Sequence, residues 1–232
     1  MELKTLVILE KKPADLSDKN WILANLPVLQ TVDNLENNPF PCSISIFFTG
    51  KGLIPDNLIS DNKYQLYSPD KNHENKMTGF DLLSFLTQFC KQQKFDLILS
   101  SAKGSSHFFP YLGGALAAKL DLNHISCVNS IEYSENRSYL ISRNSSSGTL
   151  TQAIELPLSI SISEPPPISN NSKLDFVEPN NTLNRISPEE LKIDEDIIKF
   201  RYKFAPPAAP LPKYSVAKFN SVSKVLKWLQ DN

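Results

Sequence analysis

The sequence predicts an α/β protein on a doubly wound, mostly parallel, Rossmann-like sheet. Three observations predict it. Short apolar runs over Thr5–Glu10, Cys42–Thr49 and Phe95–Ser100 read as buried strands. Segments of helical period separate them, with Leu82, Phe85, Leu86, Phe89 and Cys90 forming one apolar stripe. Alternation of strand and helix at this spacing implies βαβ units and parallel pairing.

The elements follow in order. Thr5–Glu10 is the first strand, closed by Lys11, Lys12 and Pro13. Trp21, Ile22, Leu23, Leu26, Leu29 and Val32 have irregular helical spacing. Pro27 interrupts them, which predicts a poor or broken helix over 17–34. Cys42–Thr49 is the second strand, turning at Thr49-Gly50-Lys51-Gly52, and Tyr64–Tyr67 is a short third. The clearest helix is Thr78–Gln92, with Thr78 placed to cap it. Phe95–Ser100 is the fourth strand and ends in the polar turn 101–106.

A helix over 107–120 follows. Pro110 is tolerable in its first turn, and Gly113, Gly114, Ala117 and Ala118 give it a flat face that can lie close to the sheet. Ile125–Val128 returns as a strand. Ser138–Ser142, Thr149–Leu156 and Leu158–Ser163 then come without helices between them, which predicts an antiparallel extension at one edge. The division expected is an α/β domain over 1–163, a Pro/Asn-rich loop over 164–186 and a C-terminal extension over 187–232. That extension holds a helix start at Ser187-Pro188-Glu189-Glu190, a strand over 197–204, a proline arm over Ala205–Pro212 and an amphipathic helix over Ser221–Leu229.

Composition narrows the function classes. The 232 residues are 41% apolar, and 24 Lys and Arg face 25 Asp and Glu. That balance gives no footprint for nucleic acid or an anionic membrane. No apolar run nears the roughly 20 residues of a membrane span. Cys42, Cys90 and Cys127 are dispersed thiols, which fits a reducing, cytoplasmic setting. His73, His107 and His124 have no neighbours at metal-ligand spacing. Ser105-Ser106-His107 are adjacent in sequence, and adjacency is not triad geometry. With only 7 glycines the chain has no G-x-G-x-x-G and no Walker loop. The expectation is a binding or carrier subunit, not an enzyme.

Topology supplies the candidate site. In doubly wound sheets ligands bind beyond the carboxyl ends of the strands, where strand order reverses. The turns there contain Glu10-Lys11-Lys12, Thr49 and Gly50, and Ser100, Ser101, Gly104, Ser105 and Ser106. The last of these leads into a helix N-terminus, which favours an anion such as a nucleotide phosphate; simple capping by Ser105 or Ser106 is the plainer alternative.

Phe95–Glu132 (FDLILSSAKGSSHFFPYLGGALAAKLDLNHISCVNSIE) resembles the electron transfer flavoprotein family. There a strand ends in a small polar turn, a helix with Pro and then small residues follows, and a strand leaves the sheet. The turn Ser101-Ala102-Lys103-Gly104 with Pro110 is similar to the alpha subunit's N-terminal domain. Length and the proline-rich arm are similar to the beta subunit. The resemblance implies a non-catalytic, beta-like subunit that supports FAD carried by an alpha-like partner, with redox partner proteins beyond it. The family's beta subunit also holds AMP on a turn with several Asp, then Gln, Thr and Gly. Ser105–Gly113 has no acid and no Gln, so the AMP pattern does not carry over. The other readings are an adenine-nucleotide-binding sensor domain and a redox-inactive scaffold.

Overall fold

The computed structural model describes residues 2–12, 17–36, 41–50, 52–60, 63–74, 77, 79–103, 109–134, 138–146, 148–163, 175–179 and 183–193. All belong to one compact unit, Met1–Glu195. The Thr78 cap, the strand over 197–204, the proline arm and the terminal helix lie outside the described residues.

The elements are β1 (Leu3–Glu10), α1 (Asp18–Glu36), β2 (Cys42–Thr49), β3 (Ile54–Pro55), α2 (Asp56–Ser60), β4 (Gln65–Pro69), α3 (Gly79–Gln93) and β5 (Leu97–Ser101). They continue with α4 (Phe109–Leu120), β6 (Asn123–Val128), β7 (Ser130–Tyr133), β8 (Ser138–Ser145), β9 (Gly148–Glu155), β10 (Leu158–Ile162), β11 (Phe176–Val177) and β12 (Asn184–Ile186). The main sheet has seven strands in the order β12-β4-β2-β1-β5-β10-β6. Every pairing in it is parallel.

The core lies on both faces, as a doubly wound sheet requires. On one face Val7, Leu9, Ile46, Phe48 and Leu99 meet α1 through Trp21, Val28 and Val32. On the other, Leu6, Ile8, Phe47 and Ile98 meet α3 and α4 through Phe85, Phe89, Leu112 and Leu116. The fully buried pattern of β5 and β10 is what interior parallel strands show.

Three expectations change. Helix α1 runs unbroken through Pro27. An interior proline costs about 3 kcal/mol. The buried stripe Trp21, Val28, Val32 and Leu35 exceeds that, since each large apolar side chain contributes about 1.5–3 kcal/mol. Leu158–Ile162 is a parallel strand between β5 and β6, not part of an antiparallel edge. The remaining antiparallel strands form a sheet of their own, in the order β7-β8-β9, packed over the α1 face by Ile131, Tyr139 and Ile141. Third, Ala118 is exposed, so the flat face of α4 is formed by Gly113, Gly114 and Ala117.

Two strands lie within the Pro/Asn-rich stretch: β11 pairs with β3, and β12 adds an outer strand beside β4. At the expected helix start, Ser187 N–H donates to Glu190 Oε2 at 2.7 Å and Glu190 N–H to Ser187 Oγ at 3.3 Å. This reciprocal capping box holds a hydrogen-bonded turn over 188–192.

Candidate functional site

Chain order reverses between β1 and β5, because β2 and β4 lie on one side of β1 while β5 and β10 lie on the other. The carboxyl ends of β2, β1 and β5 therefore stand side by side, with Glu10 level with Thr49 and Ile8 level with Ser100. The structure thus brings Thr49, Gly50, Ser100 and Ser101 to one sheet edge. Gly104, Ser105 and Ser106, like His107, lie outside the described residues.

Each gathered hydroxyl is engaged within the fold. Thr49 Oγ1 donates to the Leu9 carbonyl at 3.3 Å, while the Thr49 carbonyl accepts from Lys11 N–H at 2.9 Å. Ser101 Oγ donates to the Ala24 carbonyl and accepts from Lys103 N–H at 3.0 Å. This ties the end of β5 to α1 and begins the turn toward α4. Ser100 Oγ lies 3.0 Å from Ser161 Oγ, and both serines are buried. Gly50 is exposed at φ +71°, a conformation glycine adopts without cost, with open space around it.

Below the edge, β5 and β10 meet α4 at unusually short range. A Cβ on Gly113 would stand 2.4 Å from Ser100 Oγ and 2.8 Å from Ser161 Oγ. The His124 ring lies against Gly113 and Gly114, 3.3 Å from a Cβ at either position. Its Nδ1 is 3.2 Å from Ser159 Oγ, which itself donates to the Gly113 carbonyl at 3.2 Å. The single hydroxyl proton of Ser159 is used there, so the neutral ring carries its proton on Nδ1. Burial pushes the His124 pKa below its ordinary value, against the smaller opposing effect of a hydrogen bond to the Ser159 backbone.

On the other side of β1, Lys11, one of the edge-turn residues named from the sequence, meets two that sequence reasoning missed, Glu74 and Arg185. Lys11 is 2% exposed. Its Nζ donates to Glu74 Oε2 at 2.7 Å and to Ser68 Oγ at 2.9 Å. Arg185 Nη1 reaches the same Glu74 oxygen at 2.6 Å and the Pro69 carbonyl at 3.3 Å. One carboxylate thus links the carboxyl ends of β1, β4 and β12. Burial lowers the Lys11 pKa, and Glu74 only partly offsets it. Lys11 is visible in the sequence as a cation closing an apolar strand. Nothing local joins it to Glu74 or Arg185.

The same side is further covered by β3 and β11. Lys12 and Leu53 exchange backbone hydrogen bonds of 2.8 Å. Lys12 Nζ sits 5.4 Å from the Phe176 ring centre, and Phe176 meets Trp21 edge-on at 5.0 Å. Trp21 Nε1 donates to the Glu10 carbonyl at 2.7 Å, so the end of β1 is held from α1 as well. Chemically this is a braced edge. Its described hydroxyls and cations hold strands and turns in place.

No protein-family model matches the chain, and no curated protein matches it. Among the described residues, no group of three or more His, Cys, Asp and Glu could hold a metal ion, and no helix is long and apolar enough to cross a membrane.

Proposed function

We propose that this chain is a non-catalytic, beta-like subunit of an electron transfer flavoprotein complex, supporting FAD that an alpha-like partner carries. The observation that carries the reading is the fold of Phe95–Glu132, the stretch with the family resemblance. It forms β5, then α4 with Pro110 in its first turn and Gly113 pressed on the sheet, then β6, then a strand that leaves for the antiparallel sheet.

The engagement of Thr49, Ser100 and Ser101 supports a holding role rather than a reacting one. FAD would supply the redox chemistry when bound in the complex. This chain's part is to present a stiff sheet edge against the flavin domain and to limit which proteins approach it. Thr49, Ser101 and the Lys11–Glu74–Arg185 set keep that edge in shape.

The test is to purify the tagged chain from its native source and record the visible spectrum of the eluate. A flavin spectrum with a co-purifying chain is expected. Truncation after Phe204 is expected to weaken that complex. A colourless eluate with a partner retained overturns the flavin assignment in favour of a scaffold. A colourless, solitary protein that binds AMP or ATP favours the nucleotide-sensor reading.

A further inference from the structure

Strand β9 ends the antiparallel sheet and, among the described residues, pairs only with β8. The direction of its backbone groups follows from its neighbours. The Ser142 carbonyl of β8 accepts from Asn129 N–H at 2.9 Å, on the β7 side. Direction alternates along a strand, so Ile141 and Arg143 turn their groups toward β9, where they oppose Gln152 and Leu150. The N–H and C=O groups of Thr149, Thr151, Ala153 and Glu155 therefore point away from the sheet.

Such an edge is a template for another strand, and sheets usually blunt it with lysine, proline or a bulge. Residues 149–154 read TLTQAI, without a charge or a proline, and pair with β8 without a register shift. The residues of β9 are exposed along most of its length, Leu150 at 43%.

We propose that β9 pairs antiparallel with β9 of a second copy of this chain, joining two three-stranded sheets into one of six strands about a twofold axis. Outward-pointing groups must meet outward-pointing groups, which requires residues of like parity to oppose each other. Two registers of equal length satisfy this. Centred on Thr151, Leu150 would face Gln152 and Ile154 would face Gly148. Centred on Gln152, Leu150 faces Ile154 of the other copy, Thr151 faces Ala153 and Thr149 faces Glu155. The second register covers the exposed Leu150 with an apolar partner, and the twofold repeats the contact. The geometry points to that register. The occupant is a second copy because the strand's own sequence supplies both halves of the contact.

The experiment uses the full chain alone, so its outcome is independent of any flavin-bearing partner. Light scattering over a concentration series is expected to show a species of twice the 26.1 kDa chain mass. In a Cys127→Ser background, Gln152→Cys is expected to form an intermolecular disulfide on mild oxidation, because residues at a twofold centre face each other. Thr151→Pro removes an outward N–H without touching the β8 ladder, and is expected to weaken the dimer at least about tenfold with an unchanged circular dichroism spectrum. If Thr151→Pro does not fold, the Gln152→Cys cross-link decides. A monomer at every concentration overturns the proposal, including the case in which residues 194–232 of the same chain cover the edge. So does a dimer that fails to cross-link through Gln152→Cys.

Discussion

The ammonium of Lys11 and the guanidinium of Arg185 share one oxygen of Glu74, at 2.7 and 2.6 Å. Both cations depend on a single carboxylate, and Lys11 has almost no water around it. Glu74→Gln leaves a buried ammonium without its counter-charge. It is expected to cost about 3–5 kcal/mol, the usual effect of breaking a buried pair from one side. Lys11→Met is expected to cost much less, because Glu74 keeps Arg185 and the methionine fills the space. Urea unfolding of the two variants measures the order, and equal losses would count against this account.

The His124 ring is packed on α4 with its pKa below the ordinary 6.5. As pH falls through 6.5 the unfolded chain takes up a proton before the folded one does. Stability therefore declines from pH 6.5 downward until the folded ring is also protonated. His124→Asn keeps a donor near the Nδ1 position but does not titrate. The stability difference between wild type and His124→Asn is expected to shift against the wild type between pH 6.5 and pH 5. Thermal unfolding across that range reads it, and a constant difference would refute it.

Gly113 has no room for a side chain between α4 and the sheet. Gly113→Ala drives a methyl into Ser100 Oγ and Ser161 Oγ. The expected loss is about 1–3 kcal/mol, in the range of overpacked cores, despite alanine's better helix propensity. Adding Ser100→Ala and Ser161→Ala removes both opposing oxygens and is expected to recover much of it. Chemical denaturation of the single and triple variants is the measurement.

Two of the three thiols, Cys127 and Cys90, should differ in reactivity. Cys127 is exposed, at a register shift where β6 meets β10. Cys90 is buried in α3, and burial pushes its pKa up to about 12. A thiol reagent is expected to modify Cys127 rapidly in the native protein and Cys90 only on unfolding. Mass spectrometry of the labelled sites checks the order, and loss of the fast phase in Cys127→Ser identifies its source.

Much of the fold was legible because its causes are local. Apolar runs such as Leu97–Ser101 and the stripe Phe85, Leu86, Phe89 and Cys90 carry their burial in their own spacing. The carboxyl-edge placement of Thr49, Gly50, Ser100 and Ser101 followed from strand order alone. The use of their hydroxyls did not, because the acceptors of Thr49, Ser100 and Ser101 belong to other elements, at the carbonyls of Leu9, Ile160 and Ala24.

By itself the sequence determined the strand and helix segments, the alternating α/β order and the edge on which the turns gather, since these depend on period and on short connections. Only the tertiary structure decided the rest. It put Leu158–Ile162 inside the parallel sheet, because burial on both faces outweighs the lack of an intervening helix. It carried α1 through Pro27, because the buried stripe is stronger than one missing hydrogen bond. It also set Glu74 between Lys11 and Arg185, residues far apart in the chain that meet where three strands end, and only there can one carboxylate neutralise both.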